Sequence, residues 1–305
     1  MNQPIAVILN ARAGDDDSPD ADAVRAACAR VGLSADVHAL DADDDLDAVL
    51  DAVLARDPSC VVAGGGDGTV NTVAARLVDH PHARLGVLPL GTLNHFARDL
   101  GIPLDLDAAV RVIADGHVAT VDVGEVNGRV FLNNASIGLY ASMVVQRERT
   151  RRLLGLGKWP AMARATWVAL RDPASFDVAV SADGDAQHRR TPFLFVGNND
   201  YTLSGPALGQ RKRLDEGALS VYVLRPKNRW GLLWLGLRAL FGAVSGERDL
   251  TAQRASELVV AAAREQVPVA RDGEVADLTT PLRFRVRPRA LRVCVPRDAR
   301  AAEAG

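Results

Sequence analysis

From Ile5 to about Asp122, short apolar runs alternate with segments of helical period, the pattern of βαβ units wound around a parallel sheet. The strands this predicts are Ile5–Leu9, Ala35–Ala39, 60–63 and 85–88, each closing near a loop or a glycine. A helix is expected between the first two, with Ser18 as N-cap, Pro19 in the first turn, Val24, Cys28 and Val31 on one face, and Gly32 at its end. A second helix runs from about Asp45 through Leu46, Val49, Leu50, Val53 and Leu54. Both have one apolar stripe opposite a polar face, which suits packing against a sheet. The aspartate-rich run 41–45 reads as a solvated helix entry, with a metal site as the alternative.

After Asp122 the texture changes to many short strands punctuated by turn residues, at 129–134, 177–181, 192–196, 218–224, 257–261 and 281–286. That pattern predicts a sandwich-like β domain. Two helical inserts, around 139–154 and 159–170, interrupt it, and the Ala-rich tail is expected to fray. The predicted division is therefore an α/β domain over 1–122 and a β-sandwich domain over 123–290.

Composition adds exclusions more than assignments. A chain of 305 residues, 48% apolar and 24% charged, is that of an ordinary folded protein of the size at which two domains are common. The net charge of −2 and pI near 6.3 supply no electrostatic footprint for a polyanion, so no nucleic-acid partner is expected. Cys28, Cys60 and Cys294 lack metal-ligand spacing and read as buried small hydrophobes in a reducing compartment. No secretion signal precedes the first strand. The longest apolar stretch, 230–244, is broken by Arg238 and falls short of the roughly 20 residues that span a bilayer. A cytoplasmic protein that touches a membrane without crossing it is the expectation.

The chemistry begins where the strand 60–63 runs into Gly64, Gly65, Gly66, Asp67, Gly68 and Thr69 and then into a helix starting near Val70. Glycines let the backbone turn sharply and bring amide groups up to an anion, and the helix N-terminus adds partial positive charge. There is no Walker lysine, and the spacing is not the dinucleotide fingerprint. An aspartate inside a phosphate cradle repels the anion unless a metal or a proton mediates, so Asp67 implies a magnesium–nucleotide complex. The alternative is a tight strand-to-helix turn capped by Asp67. A second loop repeats the logic: strand 85–88 ends at Pro89, Leu90, Gly91 and Thr92, and Asn94 opens a helix carrying Phe96 and Leu100. In an open α/β sheet the two loops should converge, with Thr92 and Asn94 donating to phosphate oxygens. As a plain helix cap Thr92 would be unremarkable.

Taken in order, Asn10-Ala11-Arg12-Ala13-Gly14, Gly65-Gly66-Asp67-Gly68-Thr69, Gly91-Thr92-Leu93-Asn94, Asn133-Asn134-Ala135-Ser136-Ile137-Gly138, Leu214-Asp215-Glu216-Gly217 and Asp272-Gly273-Glu274 resemble the motifs of the diacylglycerol kinase catalytic-domain family, which includes sphingosine kinases and bacterial lipid kinases. The resemblance spans about Ile5 to Pro296. It implies an α/β N-terminal domain like that of NAD kinases and phosphofructokinases, a C-terminal β-sandwich, ATP in the cleft between them, and Mg2+. It also implies that 291–302 returns to the first domain.

Carried over by position, the resemblance makes Asp272 the general base for the acceptor hydroxyl, with Glu274 supporting the metal or the base. A carboxylate in hydrogen-bond reach suits an alcohol nucleophile at neutral pH. On its own, Asp272-Gly273 reads equally well as a hairpin turn between Val269 and Val275. The resemblance further implies Asp67 in the magnesium–phosphate network, Thr92 as a phosphate contact, Asn10 as the nucleotide-loop asparagine, Asp122 as a further acidic member, and Asp215 at a structural magnesium site. Ser220 stands where that site often has a second aspartate. Ala11 replaces the usual proline, Asp15, Asp16 and Asp17 stand where a basic residue is common, and His95 replaces a common aspartate. Arg98 is the local group for neutralising transition-state charge, or else a helix-face ion pair.

A lipid acceptor requires contact with a bilayer. Trp230, Leu233, Trp234, Leu237 and Phe241 recur at helical spacing after Lys227 and Arg229, which fits an interfacial helix or packing against the β domain. Residues 153–160 are a second candidate for the rim of a lipid pocket. The expected activity is ATP-dependent phosphorylation of a lipid hydroxyl, with a soluble-substrate kinase and a catalytically silent lipid-binding regulator as rivals. A homodimer is compatible with all three.

Overall fold

The computed structural model describes residues 4–10, 19–41, 44–138, 176–182, 185–191, 193–202, 210–211, 213–224, 250–262 and 264–299. The expectations for Ala11, Asp15 to Asp17, Ser18, the inserts at 139–170 and the apolar stretch 230–244 lie outside the described residues. Two compact units divide the chain. The first comprises Met1–Val123, Arg211–Gly217 and Arg287–Gly305; the second comprises Gly124–Gln210 and Ala218–Val286.

In the first unit the elements run β1 (Ile5–Leu9), α1 (Ala21–Arg30), β2 (Ala35–Ala39), α2 (Leu46–Leu54), β3 (Cys60–Gly65), α3 (Asp67–Leu77), β4 (Arg84–Pro89), α4 (His95–Asp99) and α5 (Leu106–Asp115). The strands pair in the order β2-β1-β3-β4, all parallel, and the late part of β16 (Leu282–Cys294) joins β4 through Val293 and Leu85. β1 and β3 are buried at every position, as strands covered on both faces by helices must be. The order reverses between β1 and β3. Ligands of open α/β sheets collect beyond the carboxyl ends of strands at such a point.

Helix boundaries follow their caps. α1 is capped by Asp20 rather than Ser18, its carboxylate accepting from Ala23 N at 2.8 Å, so Pro19 precedes the cap instead of standing in the first turn; α2 is capped by Asp45, which accepts from Asp47 N at 3.0 Å. α3 begins at Asp67, earlier than Val70, because Gly66 takes the cap position. α5, capped by Asp105 and closed by Gly116 in the left-handed region, escaped the sequence reading. The three cysteines are buried and form no disulfide, and burial pushes the Cys28 thiol up.

The second unit is a β-sandwich. One sheet has the order β12 (Leu250–Ala255), β11 (Leu219–Leu224), β10 (Phe193–Asn198), β7 (Asn134–Gly138), β14 (Gln266–Arg271) and β15 (Glu274–Thr279), antiparallel throughout. Opposite it, the early part of β16 pairs with β13 (Glu257–Ala262), which pairs with β8 (Phe176–Ala182) and through it β9 (Asp185–Thr191). The core between the sheets takes Ile137, Leu194, Val196, Val221 and Val269 from the first and Leu258, Val260, Leu282 and Phe284 from the second. The strand expected over 129–134 is two. β6 (Arg129–Phe131), the antiparallel partner of β5 (Val118–Val126), ends and β7 begins after an interruption at Leu132 and Asn133, whose amides bond a side chain instead of a neighbouring strand.

Phe284 is 2% exposed within this core. Phe284→Ala should cost about 3–5 kcal/mol of stability, read as a lower urea midpoint at unchanged slope.

Candidate active site

β1, β3 and β4 end side by side, and the residues that follow them meet. Asn10 N donates to Gly64 O at 2.8 Å, and Leu90 N donates to Gly65 O at 3.0 Å. The two glycine loops approach so closely that a Cβ on Gly91 would stand 2.4 Å from Gly66 Cα. On Gly65 a Cβ would meet Thr69 Oγ1 at 2.7 Å, so Thr69 folds back over the loop, where its hydroxyl accepts from Asn10 Nδ2 at 3.3 Å. Gly64 is closed in by Leu9 at 3.1 Å. α3 follows directly, with Gly66 as N-cap and no side chain capping its first turn. The amides from Asp67 through Gly68 and Thr69 thus form an anion-binding end.

Asn94 sits in the left-handed region at φ 51° and is 6% exposed. Its Oδ1 accepts from Gly91 N at 3.0 Å, and its Nδ2 donates to Pro89 O at 3.2 Å and Gly91 O at 2.5 Å. The amide expected to reach phosphate is instead consumed in shaping the second loop. Thr92 and Leu93 project outward, Leu93 at 60% exposure. Arg98 is exposed, with Nε donating to Leu93 O at 2.9 Å, so its guanidinium is tethered to the loop rather than paired along the helix. Asp67 Oδ1 accepts a long bond of 3.4 Å from Phe96 N, linking the first loop to α4.

The other acidic candidates are more fully engaged. Asp122 is 1% exposed, and its oxygens accept from Gly217 N at 2.6 Å and Arg289 N at 2.8 Å. Asp215 faces Arg213, which donates from Nε and NH2 at 3.0 and 3.1 Å. Among the described residues, no three His, Cys, Asp or Glu side chains are grouped to hold a metal.

Within the second unit, Asp272 and Gly273 form the two-residue turn between β14 and β15, both at positive φ (45° and 92°). The hairpin reading is therefore what the backbone does there, and the turn fixes where the Asp272 carboxylate points. Its oxygens accept from three successive amides, Leu132 N at 2.7 Å, Asn133 N at 2.8 Å and Asn134 N at 3.0 Å. Beside it Arg271 donates to Val130 O at 2.9 Å. Burial and the nearby Arg129 lower the pKa of the Arg271 guanidinium, while Glu274 and Asp272 oppose the shift. Glu274 is exposed.

Residues 4–126 match the diacylglycerol kinase catalytic domain, and residues 134–295 match the YegS C-terminal NAD kinase beta sandwich-like domain. The chain belongs to the diacylglycerol kinase and YegS-like lipid kinase family. It is 32% identical to the "Probable lipid kinase YegS-like" of Pseudomonas aeruginosa over 83% of this chain and 82% of that one. It is 27% identical to a diacylglycerol kinase of Staphylococcus haemolyticus over 88% and 81% of the two chains. A crystal structure of a diacylglycerol kinase from Bacillus anthracis shares the fold, with TM-score 0.68 at 19% identity over 97% of this chain and 98% of that one.

For a member of this lipid kinase family, the donor set of the first unit fits a nucleotide triphosphate: two glycine loops in contact, an uncapped helix end, and one carboxylate beside them. Mg2+ at phosphates is held by one or two carboxylates together with phosphate oxygens and water, not by an all-protein cage. Asp67, beside the two loops and with a single long bond to Phe96 N, would be such a carboxylate. Asp122 and Asp215, with both oxygens bonded inside the protein, would not. The sequence reading missed Arg211, whose Nε and NH2 lie 2.8 and 2.7 Å from Asp99 Oδ2 in a buried pair, because nothing in its spacing marks it.

Gly91→Ala should drive the two loops apart. ATP affinity is expected to fall about tenfold or more, measured by calorimetry, with the far-ultraviolet circular dichroism of the folded chain retained.

Proposed function

We propose that this chain transfers the γ-phosphoryl group of ATP, presented as its magnesium complex, to the hydroxyl of a lipid with a diacylglycerol-like or sphingoid backbone. The observation that carries the reading is the contact of the Gly64–Thr69 and Pro89–Asn94 loops over the end of α3, with Asp67 as the carboxylate between them. The first-turn amides of α3, and Thr92 at the tip of the second loop, bind phosphate oxygens. Asp67 would hold the Mg2+ that accompanies the nucleotide, and the ion would supply positive charge at the phosphates. Arg98, anchored through Nε, turns its remaining donors to the charge that develops on the transferred group.

Asp272 takes the acceptor's proton. The acceptor oxygen bonds to the γ-phosphorus as the bond from phosphorus to the bridging oxygen of ADP breaks, and the hydroxyl proton passes to the Asp272 carboxylate. Three amide donors keep that carboxylate in one orientation, which favours a positioned base over a mobile one. The same bonds complicate its replacement, since an asparagine would turn an NH2 group toward amide N–H groups. The lipid class of the acceptor rests on family membership, and contact with a membrane surface follows from where such acceptors reside. No helix among the described residues is long and apolar enough to cross a membrane.

Purified protein with Mg2+ and ATP should phosphorylate a component of a total lipid extract, identified by mass spectrometry of the product. Transfer to NAD with none to any lipid would replace this reading with the soluble-substrate one. Asp272→Asn should lower turnover by about 10²–10⁴-fold and, because its NH2 group faces a backbone N–H, lower the thermal midpoint as well, while ATP affinity stays near that of the parent. Unchanged turnover would remove Asp272 as the base.

A further inference from the structure

The family resemblance leads one to expect a structural divalent ion at Asp215, and the residues there do not fit one. Asp215 has only 6% of its side chain exposed, and the Arg213 guanidinium spans its two oxygens fork to fork at 3.0 and 3.1 Å. That geometry occupies the face of the carboxylate that a metal would take. Asp122, the next acidic group, spends one oxygen on Gly217 N and the other on Arg289 N, while its own N–H donates to Leu214 O at 2.7 Å. Backbone amides point into that carboxylate where a cation would have to approach. Ser220, standing where a second aspartate is common, bonds Asp200 instead.

The Asp215 carboxylate nevertheless has a countercharge, the Arg213 guanidinium that spans it. About half of the Arg213 side chain is exposed, so solvent screens the attraction, and the inference rests on occupied oxygens rather than on energy. The segment so organised, Arg211–Gly217, is pinned at its other end by the buried pair of Arg211 and Asp99, the last residue of α4.

We propose that Arg213 is a resident cation standing in place of a divalent metal at Asp215, so that the Arg211–Gly217 segment is held in this chain without bound magnesium.

The test uses neither ATP nor lipid, so its failure and failure of the kinase reading are told apart. The thermal midpoint of the full chain is measured in EDTA and in millimolar MgCl2. The parent should melt at the same temperature in both. Arg213→Ser, which leaves Asp215 without its cation, should melt lower in EDTA and regain about 2–4 °C or more in MgCl2. Arg213→Lys, which keeps a cation, should stay indifferent to magnesium. A parent stabilised by MgCl2, with that stabilisation lost in Asp215→Asn, would overturn the proposal. So would an Arg213→Ser protein that melts like the parent in both solutions. If Arg213→Ser does not fold in EDTA, the parent and Arg213→Lys still decide the outcome.

Discussion

The backbones of Gly66 and Gly91 lie so near each other that no side chain fits between them, and the rest of the candidate site depends on that approach. It is set up by the parallel register of β3 and β4, in which Gly65 stands opposite Pro89, and by the bond from Leu90 N to Gly65 O. Asn94 makes it durable. Held at positive φ, it ties Pro89 O and both polar groups of Gly91 into one closed loop. The strand order places this contact next to the reversal between β1 and β3, where Asn10 can reach Thr69. Fold and cradle are therefore one construction.

Acidic residues serve three different ends, and their surroundings decide which. Asp122 and Asp272 each gather backbone amides from distant parts of the chain, a use that offsets the cost of burying polar backbone groups where strands are interrupted. Asp215 is matched to a guanidinium two residues away. Asp67 makes only one long bond, 3.4 Å, to Phe96 N, and it stands at the head of an uncapped helix. Of the carboxylates read as metal ligands, Asp67 is the one whose chemistry remains directed outward.

Much of this was legible in the sequence for a physical reason. Strands buried on both faces are continuous apolar runs, so Ile5–Leu9 was readable to the residue, and dense glycines between a strand and a helix mark a close backbone approach whatever the ligand. The six-stranded sheet was only partly readable. β14 and β15 mix apolar and polar positions, and Asp272-Gly273 was readable as a turn from its residue types and as a candidate site only through the resemblance, without a means to tell that the turn sets where the carboxylate points. The break between β6 and β7 was invisible because its cause, Asp272, lies far along the chain. Asn94 was assigned to phosphate because its residue type suits that task; its bonds to Pro89 and Gly91 depend on a left-handed backbone that sequence alone does not announce. Arg213 was not singled out in the sequence, and its fork to Asp215 is visible only once the side chains are placed.

As proposed, Asp67 couples the glycine cradle to magnesium. Calorimetric titration of ATP into the parent and into Asp67→Asn, each with and without Mg2+, measures that coupling. The parent should bind ATP at least about fivefold more tightly with Mg2+, and Asp67→Asn should bind ATP alike in both solutions, no worse than the metal-free parent. An Asp67→Asn protein that keeps the parent's full magnesium dependence would contradict the account.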